Sequence, residues 1–81
     1  MRGLSMRFYE FKECIEKGYT LKGIIDSKSF KIRNIKGLNI INIGRRKITL
    51  TNEELDKVKI YNNMNLNELY NKNYIYIMKK Y

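Results

Sequence analysis

The sequence predicts an α+β domain. An N-terminal helix packs on a small antiparallel sheet, strongly bent or curled into an SH3-like partial barrel, with one or two short capped helices and a C-terminal strand. Three observations carry that prediction. Phe8, Phe11 and Ile15 recur at helical spacing near the start of the chain. From Tyr19 to Leu50, apolar and basic residues alternate between turn signals, as in consecutive hairpins. Thr51-Asn52-Glu53-Glu54 spells a capping box, and Asn65 to Glu68 repeats it.

The first helix is expected over Met6–Lys17. Ser5 can cap it, Leu4 can extend its apolar stripe backwards, and Gly18 stands where a left-handed residue would end it. Glu10, Glu13 and Glu16 balance Arg7, Lys12 and Lys17, so its outer face is neutral. A groove-reading helix would be basic, so this one reads as a cover for the sheet.

Strands are expected near Tyr19–Asp26, Ser29–Ile35, Leu38–Ile43 and Lys47–Leu50. Turns fall at Asp26-Ser27-Lys28, Lys36-Gly37 and Gly44-Arg45-Arg46, and glycine supplies the positive φ at the last two. The alternation slips at Asn34-Ile35 and Ile40-Ile41, which points to a bulge, a bend or a strand buried on both faces.

Thr51 and Glu54 open a short helix running to about Lys57, with Leu50 and Leu55 at the two positions of a hydrophobic staple. This capping role accounts for Glu54, and the helix dipole favours Glu53 beside it, so neither needs a catalytic explanation. Val58–Tyr61 has the look of a brief strand. Asn62-Asn63 turns the chain, and Asn65 and Glu68 cap a helix over Leu66–Lys72. Tyr74-Ile75-Tyr76-Ile77-Met78 alternates as a last strand with two apolar faces, so it is either central or meets a partner, and a homodimer through it is expected.

The 81 residues make a single domain, with residues 1–5 a candidate flexible extension and Met6 an alternative start. A chain of this size buries only about 60% of its unfolded surface, so its core is small. Ala, Pro, His, Gln and Trp are absent, and Ile, Lys, Asn and Tyr abound. AT-rich codons produce that bias, so a low-GC bacterium, its phage or a plasmid is the expected source. With no His and the single Cys14, the chain offers no internal disulfide, no Cys–His pair and no ordinary zinc site. No metal and no cofactor are expected. No apolar run approaches the roughly 20 residues of a spanning helix. A cytoplasmic protein without a membrane partner is therefore expected.

The charge is +9 overall, and Tyr19–Leu50 holds eight Lys and Arg against Asp26 alone. On strands this spelling makes one oily face and one cationic face. Clustered cations on a rigid sheet draw polyanions through released counterions. The candidate phosphate-binding residues are Lys22, Lys31, Arg33, Lys36, Arg45, Arg46 and Lys47. Tyr19, Tyr61 and Tyr74 are candidate base-stacking residues, as is Phe30, although each also serves as core in a chain with few large residues. No ribonucleoprotein signature, KH loop or zinc finger is present. The expected function is a non-enzymatic, sequence-nonspecific binder of nucleic acid.

A second class of function enters through resemblance. Phe8-Tyr9-Glu10-Phe11-Lys12-Glu13-Cys14-Ile15-Glu16-Lys17-Gly18, then Lys22, and later Leu50-Thr51-Asn52-Glu53-Glu54-Leu55 before Lys59-Ile60-Tyr61, resemble small phage-encoded anti-defence proteins. These open with a short helix running into a glycine and a basic strand. The resemblance implies sequestration of a cyclic nucleotide signal, or inhibition of a host nucleic-acid-handling complex, with a host protein as partner. No Trp follows the basic strand, and no ligand residue carries over. A third class is a small RNA-cleaving toxin, which would rest on Arg45, Arg46 and Tyr81. Such toxins usually open with two helices, and here the pattern gives one.

Overall fold

The computed structural model describes residues 6–81. Five strands form one antiparallel sheet in the order β4-β3-β2-β1-β5. They are β1 (Leu21–Ile25), β2 (Lys28–Ile35), β3 (Leu38–Ile43), β4 (Arg46–Thr51) and β5 (Ile75–Lys80). The helices are α1 (Phe8–Glu16), α2 (Asn52–Leu55) and α3 (Leu66–Asn71). The sheet is open, with β4 and β5 as its edges. This is the bent-sheet form of the expected α+β fold, not a closed barrel.

Two-residue turns set the register of the meander. Asp26 and Ser27 have φ of 48° and 66°, and Lys36 and Gly37 have φ of 52° and 84°. Positive φ at both turn positions matches the right-handed twist of the flanking strands. Thus Asp26-Ser27 does without glycine what Lys36-Gly37 does with one. The β2–β3 pairing runs unbroken from Phe30↔Ile43 to Ile35↔Leu38. The slips in alternation are therefore not bulges. Their cause is that Asn39 takes the inward position, while Ile35 and Leu38 face out.

The bulge lies elsewhere. Gly23 pairs with Ile77 and Lys22 with Lys79, so Met78 is an extra residue on β5. A Cβ at Gly23 would overlap the Tyr76 carbonyl oxygen and lie 2.9 Å from the Ile77 Cα. Only glycine permits this approach of the two backbones.

All three helices lie against one face of the sheet. Phe11, Ile15, Leu55, Leu66 and Leu69 join Leu21, Phe30, Ile32, Ile41 and Ile77 in one buried cluster. Full burial of each such side chain stabilises the fold by about 1.5–3 kcal/mol. Phe8, Phe11 and Tyr70 pack as a trio with centroids 4.8–5.9 Å apart. The Tyr70 hydroxyl donates to the Met6 carbonyl. Burial, then the nearby Glu10 and Cys14, pushes the Tyr70 hydroxyl above the usual tyrosine pKa.

Both expected capping boxes form. Thr51 Oγ1 accepts from the Glu54 amide at 3.2 Å, and Glu54 Oε1 accepts from the Thr51 amide at 2.9 Å. Asn65 and Glu68 repeat this at 2.9 and 3.0 Å. The hydrogen bond from the Asn65 backbone, followed by one from Lys59, holds the Glu68 carboxyl below the usual glutamate pKa. The expected Ser5 cap and Leu4 lie outside the described residues. The N-cap of α1 is Arg7, whose amide donates to Glu10 Oε1 at 2.8 Å. Val58–Tyr61 forms no strand: its one pairing is the Tyr61↔Met64 bridge across a left-handed Asn62-Asn63 turn.

Among the described residues one polar side chain is fully buried. Asn39 donates to the Leu50 carbonyl and to Asn52 Oδ1, and accepts from Asn34 Nδ2. A buried amide with both ends paired costs little and ties β2, β3, β4 and the start of α2 together.

Gly23→Ala is expected to lower stability by about 2–3 kcal/mol, an overpacking penalty taken against main chain that cannot step aside. Amide hydrogen exchange should speed up in β5 more than in β3. Equal losses of protection in both strands would mean that Gly23 does not control β5 docking.

Candidate nucleic-acid interface

The face of the sheet away from the helices carries the candidate site. Alternation along β1 and β2 sends Leu21, Ile25, Phe30 and Ile32 inward, and Lys22, Ile24, Lys31 and Arg33 outward. The registers then line side chains up across strands. Lys79 is opposite Lys22, Lys22 opposite Lys31, Lys31 opposite Asn42, and Asn42 opposite Lys47. One transverse row, Lys79–Lys22–Lys31–Asn42–Lys47, thus crosses all five strands. At about 4.8 Å per strand its ends lie about 19 Å apart.

On one side of this row stand Tyr76 and Ile24, which pair with each other, then Ser29. On the other side stand Arg33, Ile40 and Thr49, and beyond them Ile35, Leu38 and Thr51. Tyr81 exchanges backbone hydrogen bonds with Thr20 and so closes the Arg33 row at β5. The Lys22 ammonium sits 5.4 Å from the Tyr81 ring centroid. No Asp or Glu projects from this face among the described residues.

Like charges directly opposite each other on neighbouring strands destabilise a sheet. Lys22 is flanked by two of them. Between Lys22, Lys31, Ser29, Asn42, Gly23 and Gly44 the face is dished, with a concavity of about 380 Å³.

The sequence-predicted residues divide. Lys22, Lys31, Arg33 and Lys47 share the outer face. Arg45 occupies the exposed β3–β4 turn, next to the row's Lys47 end. Lys36 sits in the β2–β3 turn, at the opposite end of the strands. Arg46 is directed elsewhere: its Nη1 donates to the Ile60 carbonyl at 3.1 Å, bracing β4 to the segment before α3.

None of the three tyrosines proposed to stack bases lies on the lysine row. Tyr19 holds Lys80 at 4.7 Å over its ring. Tyr61 donates to Asp26 Oδ2 at 2.7 Å and carries Lys28 over its ring. Tyr74 precedes β5, outside its paired residues. Phe30 is core.

Sequence reasoning missed Lys79 and Tyr76, and named Tyr81 only for the RNA-cleaving reading. Simple alternation from Ile77 would send Lys79 inward; the Met78 bulge turns it out beside Lys22. A glycine inside β1 was the available signal.

No protein-family model, no curated protein and no solved structure matches the chain. No helix among the described residues is long and apolar enough to cross a membrane.

Two substitutions separate the roles of these cations. Lys22→Thr is expected to stabilise the fold by roughly a few tenths of a kcal/mol at low salt, a gain that fades as salt screens the row. Arg46→Ala should cost about 1 kcal/mol by freeing the Ile60 carbonyl. Thermal melts at low and high salt check both. A Lys22→Thr variant that is less stable at every salt concentration would contradict the repulsive row.

Proposed function

We propose that this protein is a non-enzymatic, sequence-nonspecific nucleic-acid binder, working through the exposed face of its sheet. The observation that carries this reading is the transverse lysine row, four cations without an opposing acid on that face among the described residues. Repulsion within the row is relieved when phosphates occupy it, and the release of their condensed counterions drives binding. Lys22, Lys31, Lys47 and Lys79 line the phosphate track, Arg33 reinforces it, and Arg45 and Lys36 extend it at the turns. Lysine ammonium groups are point charges suited to phosphates, and phosphate contacts carry no sequence information, which fits binding without sequence preference.

The general acid–base chemistry of an RNA-cleaving toxin has less to draw on. Three of the eight acids close helix-start hydrogen bonds, Glu10, Glu54 and Glu68. Asp56 pairs with Lys12 at 2.6 Å, and Asp26 with Tyr61. Arg46, one of that reading's residues, braces Ile60.

A second reading is favoured by the concavity beside Lys22 and Lys31. Its volume falls within the range of small-molecule pockets, so an anti-defence protein that sequesters a nucleotide signal is the alternative.

Fluorescence anisotropy of a short mixed-sequence oligonucleotide tests the first reading. The log of the association constant should fall with log salt at a slope of about −3 to −4.5, from four to five neutralised phosphates. Combined replacement of Lys22, Lys31, Lys47 and Lys79 by Ala should bring that slope close to zero. A quadruple variant that keeps the slope would place the phosphate track off the sheet face.

A further inference from the structure

The outer face holds more than charge, and its relief distinguishes one form of nucleic acid from another. The lysine row lies between two apolar flanks. Ile24 and Tyr76 stand on one side, each more than 40% exposed, and the half-buried Ile40 stands on the other, with exposed Leu38 beyond it. Beside the middle of the row, the concavity of about 380 Å³ opens over β1, β2 and β3. Two of its lining residues, Gly23 and Gly44, bring no side chain to it. Gly23 cannot carry a Cβ without overlapping the Tyr76 backbone, and Gly44 holds a left-handed turn at φ 59°. Ser29, Asn42, Lys22 and Lys31 are the polar residues that line it, and Phe30 lines it beside them.

A duplex presents a face to which this relief is poorly matched. Its bases are stacked and paired, so phosphate ridges alone would meet the sheet. The apolar flanks would then be pressed against charged, hydrated groups, and the dish would stay unfilled. Among the described residues no helix or protruding ribbon rises from this face to enter a groove. A single strand can do what a duplex cannot. Its phosphates follow the row, and an unstacked base turns down into the dish, where the Ser29 hydroxyl and the Asn42 amide meet its edge.

We infer that the ligand is single-stranded nucleic acid, gripped across the strands. One phosphate lies between Lys22 and Lys31, and one unstacked base sits in the dish at Ser29 and Asn42. This rests on the nucleic-acid reading above and sharpens it: the lysines supply affinity for any polyanion, and the dish supplies the preference for an unpaired strand. Tyr81, with Lys22 over its ring, adds an aromatic surface beside the track.

Anisotropy titrations with one labelled oligonucleotide, first unpaired and then annealed to its complement, read the preference at a single salt concentration. The unpaired form should bind roughly tenfold or more tightly, a difference within the free energy of one base contact. Ser29→Ile fills the dish without altering charge and places a strand-favouring residue opposite Ile24. It should weaken single-strand binding about fivefold and leave both the duplex affinity and the salt slope unchanged. The wild-type comparison needs no variant, so a folding defect in Ser29→Ile leaves the inference testable.

Equal or tighter duplex binding would overturn the inference while the nucleic-acid reading stands. The same holds if well-folded Ser29→Ile keeps full single-strand affinity. Binding to neither form would remove both. Stoichiometric capture of a mononucleotide in place of the oligonucleotide would do so in favour of sequestration, and binding only to phosphatidylserine vesicles in favour of a membrane surface.

Discussion

At Gly23 the backbones of β1 and β5 come so close that no side chain fits between them, and the outer face depends on that contact. The approach lets β5 accommodate Met78 as an extra residue without leaving the sheet. The extra residue reverses the facing of the two lysines after it. Lys79 arrives beside Lys22 on the exposed side, and Lys80 passes to the side of Leu21, where it covers Tyr19. Without the bulge Met78 would stand opposite Lys22 and Lys79 would fall on the side of the core, so the transverse row would stop at Lys22. One missing Cβ therefore governs both the join of the last strand and the width of the cationic surface.

The second constraint is that cover is available for one face alone. Three short helices, tied at their starts by hydrogen bonds from Glu10, Glu54 and Glu68, exhaust the apolar supply on the inner side. The Asn39 amide links three strands to the start of α2 there, so the inner layer is held by directional bonds as well as by packing. The other side of the sheet is left with lysines, Arg33, threonines and two small apolar groups, Ile24 with Tyr76 and Ile40 with Ile35 and Leu38. A face built this way meets water or a ligand. Its charge pattern is unfavourable in water, and that tension is the physical basis for assigning it a polyanion.

Much of this was legible in the residues. The helix stripe, the two capping boxes and the turn at Lys36-Gly37 gave the element order, and alternation put Lys22, Lys31, Arg33 and Lys47 on a common face. The turn at Asp26-Ser27 was legible as well, though not that both of its residues are left-handed. Two things were hidden, each for a physical reason. Arg46 reads as a loop-tip cation, yet its register opposite Ile43 turns it toward the Ile60 carbonyl, a partner that only the tertiary fold supplies. Lys79 was obscured because a period of two cannot report a bulge. The tyrosines show the same limit. Those suspected of stacking bases are engaged by Lys80 or Asp26 or lie outside the paired strands, and the ring beside the lysine row is that of Tyr81.

Mapping the contact surface residue by residue tests this account most directly. In a titration of isotope-labelled protein with an unpaired oligonucleotide, amide and lysine side-chain resonances of Lys22, Lys31, Asn42, Lys47 and Lys79 should shift together. Those of Lys28, Arg46, Tyr61 and the helices should stay in place. Shifts concentrated on the helical side, or around Tyr61 and Arg46, would contradict the assignment of the open sheet face as the binding surface.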